Sequence, residues 1–326
     1  MAEIQTVWGW LVASDLFLGG LSAGVFCTAS ILRLAGKGSF RSTLTYGAWF
    51  ATIALALALT CLLSDVGMPF RALILWQSFS HATSWMAIGA WVLFTAFIIF
   101  LATALLSTKK ITKGFSELAQ SRVEVILKVL AVIGICASLG VALYTGILLA
   151  SATGIPLWKT WLLPALFVTS ALYTGVAAVL IFVVIGEKDP RAEKVKTLLT
   201  RIILVLIVLE AAVLAYFLVT KQGGSLSEQL ASGLIVNGSL TIAFWVLVVA
   251  VGLAIPLLVG IVGQFLPKGK EGSASKAGAI VPATAAVFTL IGGFSLRFII
   301  LAAGIHAAMI IPTAAEAAKG LFFFMS

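Results

Sequence analysis

VWGWLVASDLFLGGLSAGVFCTASIL, residues 7–32, carries one charged side chain, Asp15, in a run long enough to cross a bilayer. A helix rises 1.5 Å per residue, so roughly 20 apolar residues span about 30 Å of hydrocarbon. Seven further stretches read the same way: 44–64, 84–106, 125–150, 161–185, 199–220, 238–263 and 281–311. The last is long enough to include an interfacial turn. The expected fold class is an all-α integral membrane protein with eight transmembrane helices. Composition agrees, with 61% hydrophobic and 10% charged residues, where soluble domains carry about 25% charged. The shortest separator, 151–159 with Gly154 and Pro156, predicts a helical hairpin between the fourth and fifth spans.

Charge placement supplies an orientation. Sixteen of the 21 Lys and Arg lie on one side: Arg33, Lys37 and Arg41; Lys109, Lys110, Lys113, Arg122 and Lys128; Lys188, Arg191, Lys194, Lys196 and Arg201; Lys268, Lys270 and Lys276. Basic loops stay cytoplasmic, which puts both termini outside. The net charge of +9 thus reads as a topology signal and not as a nucleic-acid footprint. Trp8, Trp10, Trp76, Trp158 and Trp161 gather at the outer ends, as an interfacial aromatic belt does. Glu3, with no basic residue before the first apolar run, is not the start of a cleavable signal peptide.

Ionisable groups inside a span cost about 2.5–3.5 kcal/mol at the centre on insertion scales, so each one needs a reason. Asp15 is expected roughly 12 Å deep in span 1, and Tyr144 at a similar depth in span 4. Asp65 ends span 2, Arg71 and His81 follow in the outer loop, and Ser84 and Trp85 open span 3. Asp15, Gly19 and Ser22 share a helix face, where small residues permit close approach. Deeper down, Glu210 in span 6 and Arg297 in span 8 form an opposite-charge pair that lowers the cost of each. Structural readings stand beside these. Asp65 and Arg71 suit a helix cap and interfacial pair, Tyr144 suits ordinary packing, and Glu210–Arg297 suits a fold-stabilising pair as well as a proton path.

Cys27, Cys61 and Cys136 form no CxxC, so the chain is expected to hold no metal or iron–sulfur cluster itself. His81 and His306 are too few and too near the boundary for paired axial ligands, so no haem is expected.

CLLSDVGMPFRALILWQSFSHATSWMAIGAW, residues 61–91, resembles the NrfD-like membrane subunits of polysulfide reductase and related respiratory complexes. The resemblance rests on Asp65, Gly67, Pro69, Arg71, Ser84, Trp85 and Met86, with a departure at Met68, where an Arg is common. ALYTGILLASATGIPLWKTWLLPALFVTSALYTG (142–175), Glu210 in LIVLEAAVLAYF, Arg297 in LIGGFSLRFIILAAG and the opening LVASDLFLGGLSAG are similar to the family in the same order. The resemblance implies two four-helix up-down bundles, residues 1–154 and 155–326, with quinone bound in the first near the outer surface. It implies a membrane anchor of a respiratory oxidoreductase in a bacterial or archaeal cytoplasmic membrane. Such an anchor exchanges electrons between menaquinone or ubiquinone and a four-cluster ferredoxin-like iron–sulfur subunit, with a molybdopterin or multihaem catalytic subunit beyond.

Within that reading Asp15, Asp65 and Tyr144 are the candidate proton-handling groups. Ser22, Arg71, His81 and Trp85 join them around the quinone, and Tyr173, Glu210 and Arg297 form a candidate proton path. The competing class is a secondary transporter, for which mid-membrane charges and Pro164 and Pro256 would serve. No repeated pattern relates the two halves, and the polar cluster is not at the midplane.

Overall fold

The structure is a computed structural model that describes residues 5, 8–36, 39–65, 85–113, 116–152, 154–186, 191–265 and 276–306. Eight helices are long and apolar enough to cross a membrane. They are α1 (Trp10–Ala35), α2 (Arg41–Asp65), α3 (Trp85–Ser107), α4 (Glu117–Ala150), α5 (Leu162–Gly186), α6 (Ala192–Gln222), α7 and α8 (Lys276–Ala302). α7 starts at Thr241–Ala243, becomes a π-helix over Phe244–Ala254 and returns to α geometry over Ile255–Phe265. In hydrocarbon every backbone polar group must be satisfied internally, and a helix achieves this within one segment. Side-chain hydroxyls follow the same rule. Ser22, Thr28, Thr52, Thr103 and Ser138 each donate to a carbonyl three or four residues back on their own helix.

Three helices differ most in extent from the sequence expectation. α4 and α6 begin eight and seven residues before the apolar runs at 125 and 199, because a helix leaving lipid continues in water when its first turns are polar. Ser116 caps α4 by accepting the Ala119 N–H, and Lys196 pairs with Glu193 at the start of α6. α8 stops at Ala302, well short of residue 311. Its final carbonyls are taken by partners outside the helix: Ile300 O accepts from Trp158 Nε1 at 2.9 Å and Leu301 O from Gln5 Nε2 at 3.0 Å. The helix end is thereby satisfied without another turn.

α1 is the most enclosed helix, with 83% of its apolar window buried against 22% for α7. It packs against α2, α4, α5 and α8. Two apolar clusters meet on it. One joins α1 to α5, α6, α7 and α8. The other joins it to α2, α3 and α4, where Phe26 stacks on Phe100 at 4.1 Å. α1 and α5 touch backbone to backbone at Gly24 and Gly175, where a Cβ on Gly24 would collide with the Ala171 carbonyl oxygen. Small residues at such a crossing allow dispersion contacts between main chains, the main attraction available when lipid is as apolar as the side chains.

The two ends of the helices are chemically distinct. At the end where α1 begins, the Gln5 face, Trp8 stacks on Trp158 at 5.2 Å. Lys221 Nζ donates to Pro156 O at 3.0 Å and pairs with Glu228 on the short helix Leu226–Val236. At the opposite end, the Glu124 face, Glu124 accepts from both Arg33 and Arg41, at 2.5 and 3.0 Å. Arg41 Nε also donates to Ser107 O, which ties α2 to the end of α3.

Burial of Glu228 by itself favours its neutral form, but hydrogen bonds from Lys221 and from the Ser225 backbone and hydroxyl outweigh it and hold the carboxyl below its usual range. A depressed folded-state value adds stability above the unfolded carboxyl's pKa of about 4.3, and that stability is lost as pH falls through the folded value. Glu228→Gln is therefore expected to lower the thermal midpoint at neutral pH, with the gap from wild type closing below about pH 4. An equal gap at both pH values overturns the assignment. Gly24→Ala is expected to destabilise by about 1–3 kcal/mol through overpacking, read as a lower midpoint in detergent. Gly233→Ala, where a Cβ meets nothing within 4 Å, should be neutral or slightly stabilising.

Candidate functional site

Asp15 lies five residues into α1 and Tyr144 six residues before the end of α4. At 1.5 Å per residue both sit about 8–9 Å below the Gln5 face. α1 starts at Trp10, three residues later than the apolar run. Both side chains are buried. Asp15 is within electrostatic range of Asp65, Tyr144 and Cys61, so α1, α2 and α4 converge here. Asp65, the last residue of α2, and Trp85, the first of α3, are exposed at the same end. Arg71 and His81 lie outside the described residues.

Neither the Asp15 carboxyl nor the Tyr144 hydroxyl forms a hydrogen bond to a described residue. By contrast the Ser22 hydroxyl is spent on Gly19 O at 2.7 Å. The Tyr144 ring rests on Gly89 of α3, where any Cβ would strike it. Gly89 is thus a positioning residue absent from the sequence reading. Its only sequence signal was a lone glycine in the MAIGAW start of span 3.

The second polar group is Glu210, Arg297, Tyr173 and Ser170, on α6, α8 and α5. Glu210 and Arg297 are fully enclosed. Among the described residues they are not a direct ion pair. Arg297 Nη1 donates to Ser170 Oγ and to Gly293 O, both at 3.0 Å, and the Ser170 hydroxyl is also within reach of the Glu210 carboxyl. Arg297 lies over the rings of Phe17 and Phe167 at 5.7 and 5.1 Å, a cation–π arrangement. Gly20 leaves room for its guanidinium, since a Cβ there would sit 2.8 Å from Nη2. Ser170 as the acceptor for Arg297 was not legible from sequence, because one more Ser in an apolar span has no signature. The Tyr173 hydroxyl donates to Gly252 O in the π segment of α7 at 2.7 Å and accepts from Thr289 of α8 at 2.9 Å. Glu210 Oε2 and Arg297 Nε are buried without a partner among the described residues.

Among the described residues no three His, Cys, Asp or Glu side chains are grouped to hold a metal ion.

Comparison with known proteins places this arrangement. The family described as Polysulphide reductase, NrfD matches residues 2–308. The chain belongs to the NrfD family. The C subunit of polysulfide reductase from Wolinella succinogenes is 31% identical, over 91% of this sequence and 94% of that protein. Protein NrfD homolog of Haemophilus influenzae is 26% identical over 91% of this sequence and 94% of its own length. Protein NrfD of Escherichia coli is 27% identical over 91% and 95%. Family membership and the eight apolar helices together identify a multi-pass NrfD-type membrane subunit.

Proposed function

We propose that this chain is the membrane anchor of a respiratory oxidoreductase, exchanging electrons between the quinone pool and a peripheral iron–sulfur subunit. One observation carries the reading: Asp15 and Tyr144 are both buried towards the Gln5 face, and Asp15 is within electrostatic range of Tyr144 and of the exposed Asp65. A quinone, menaquinone or ubiquinone, supplies two-electron chemistry coupled to two protons, and its ring carries two carbonyl oxygens that need donors. Tyr144 Oη donates a hydrogen bond to one of them. Asp15 takes or gives the proton, and Asp65, exposed at the end of α2, passes it to water. Trp85 flanks the entrance, and Arg71 and His81 belong to the connection that starts beside Asp65. Ser22, held by Gly19, forms part of the wall.

We read residues 1–154 and 155–326 as two four-helix bundles, with this site in the first. Basic-loop placement supports a cytoplasmic Glu124 face and an outward Gln5 face in a bacterial or archaeal cytoplasmic membrane. On that orientation a four-cluster ferredoxin-like subunit docks on the Gln5 face, with a molybdopterin or multihaem subunit beyond it. The lettered designation of the Wolinella relative, as one of the polypeptides of a reductase, supports a multi-subunit assembly and favours this reading over a transporter.

A second reading gives Glu210, Tyr173 and Arg297 a proton path. The unpartnered Glu210 Oε2 and Arg297 Nε favour it, since such atoms are where internal water binds.

In the purified complex, Asp15→Asn is expected to lower quinol-analogue turnover by on the order of 10²-fold. Tyr144→Phe should raise the analogue's KM by about tenfold, the value of one hydrogen bond. Unchanged turnover and KM in both variants would remove the site from these residues. For the proton path, Glu210→Gln in sealed vesicles should lower the protons moved per electron, and an unaltered ratio rules Glu210 out.

A further inference from the structure

At the Glu124 face a cavity of about 420 Å³ opens between the start of α2, the short helix Lys109–Thr112 and the start of α4. Its polar lining is Arg41, Lys109, Lys110, Thr112, Lys113 and Gln120. No carboxylate among the described residues lines it. Glu124 is shared by two arginines, so the Arg33–Glu124–Arg41 group keeps one net positive charge. Arg41 is further held by Ser107 O, Leu106 O and Thr112 Oγ1, which makes the cavity wall rigid. Lys109, Lys110 and Lys113 are exposed, and among the described residues no acid pairs with them.

Topology alone requires basic residues on this side, but it requires neither a concave site nor a fixed arginine wall. Three ammonium groups grouped beside a cavity favour an anion there. The volume falls in the range of small-ligand sites. Apolar side chains on the elements that border the cavity are exposed: Leu105 and Ile111 at and just after the end of α3, and Val125, Ile126 and Val129 of α4. An inorganic anion has no use for that surface, whereas acyl chains do.

We propose that this cavity binds the phosphate headgroup of an anionic phospholipid, with its acyl chains along the exposed side chains of α3 and α4. Lys109, Lys110 and Lys113 neutralise the phosphate, and Arg41 braces the wall.

Native mass spectrometry of the full-length protein, released from micelles containing phosphatidylglycerol and phosphatidylcholine, tests this. One phosphatidylglycerol per polypeptide should be retained in preference to phosphatidylcholine. Retention should fall by on the order of a hundredfold in Lys109→Gln/Lys110→Gln/Lys113→Gln, from about fivefold per lysine. Lys194→Gln/Lys196→Gln/Arg201→Gln removes the same charge from the same face away from the cavity and should leave retention unchanged. Thermal midpoints matching wild type show that the variants are folded, and Lys113→Gln alone, expected to lose about fivefold, serves if the triple variant does not fold. Equal retention of both lipids, or an equal loss in the control variant, overturns the proposal. Displacement by millimolar inorganic phosphate also overturns it, by making free phosphate the occupant.

Discussion

The contact of α1 and α5 at Gly24 and Gly175 sets the positions of everything else in this molecule. In lipid, apolar side chains gain little by leaving their solvent, so helices associate where their backbones can come close. Two glycines facing each other permit this, and α1 becomes the helix that the others surround. Its depth in the structure fixes the register of its polar residues. Gly20, one turn from Gly24, falls against the Arg297 guanidinium. Asp15, further along the same helix, falls at the level of Tyr144.

A second constraint is the cost of unpaired polarity. Most hydroxyls in the spans return to their own helix and contribute little to specificity. The exceptions join different helices. Tyr173 ties α5 to the π segment of α7 and to α8, and Arg297 ties α8 to α5 through Ser170. These bonds act across helices whose apolar surfaces would tolerate several registers, so they select one. Asp15 and Tyr144 make no such bond to a described residue, although the Tyr144 ring packs on Gly89 of α3.

The two faces divide the remaining work. The Gln5 face is closed by neutral stacking and backbone bonds around Trp8, Trp158 and the end of α8. The Glu124 face is held by arginines around one carboxylate and carries the unneutralised lysines. One end is therefore closed mainly by neutral contacts, with the Lys221–Glu228 pair beside them, and the other carries net positive charge.

The sequence alone determined the number of spans, because length and apolarity suffice when the solvent is hydrocarbon. It determined the distribution of basic loops for the same reason, and it carried the family in short ordered motifs around Asp65, Tyr144, Glu210 and Arg297. It placed Asp15 and Tyr144 at one depth, since depth along a helix is a count of residues. Only the tertiary structure decided which residues face each other. The Arg297–Ser170 hydrogen bond, the seat of Tyr144 on Gly89 and the sharing of Glu124 by two arginines all depend on helix rotation and crossing. The hydrophobic pattern barely encodes rotation here, because lipid accepts almost any apolar face. The helix ends were likewise settled by tertiary partners: α8 stops at Ala302 because Gln5 and Trp158, far away in the chain, satisfy its last carbonyls.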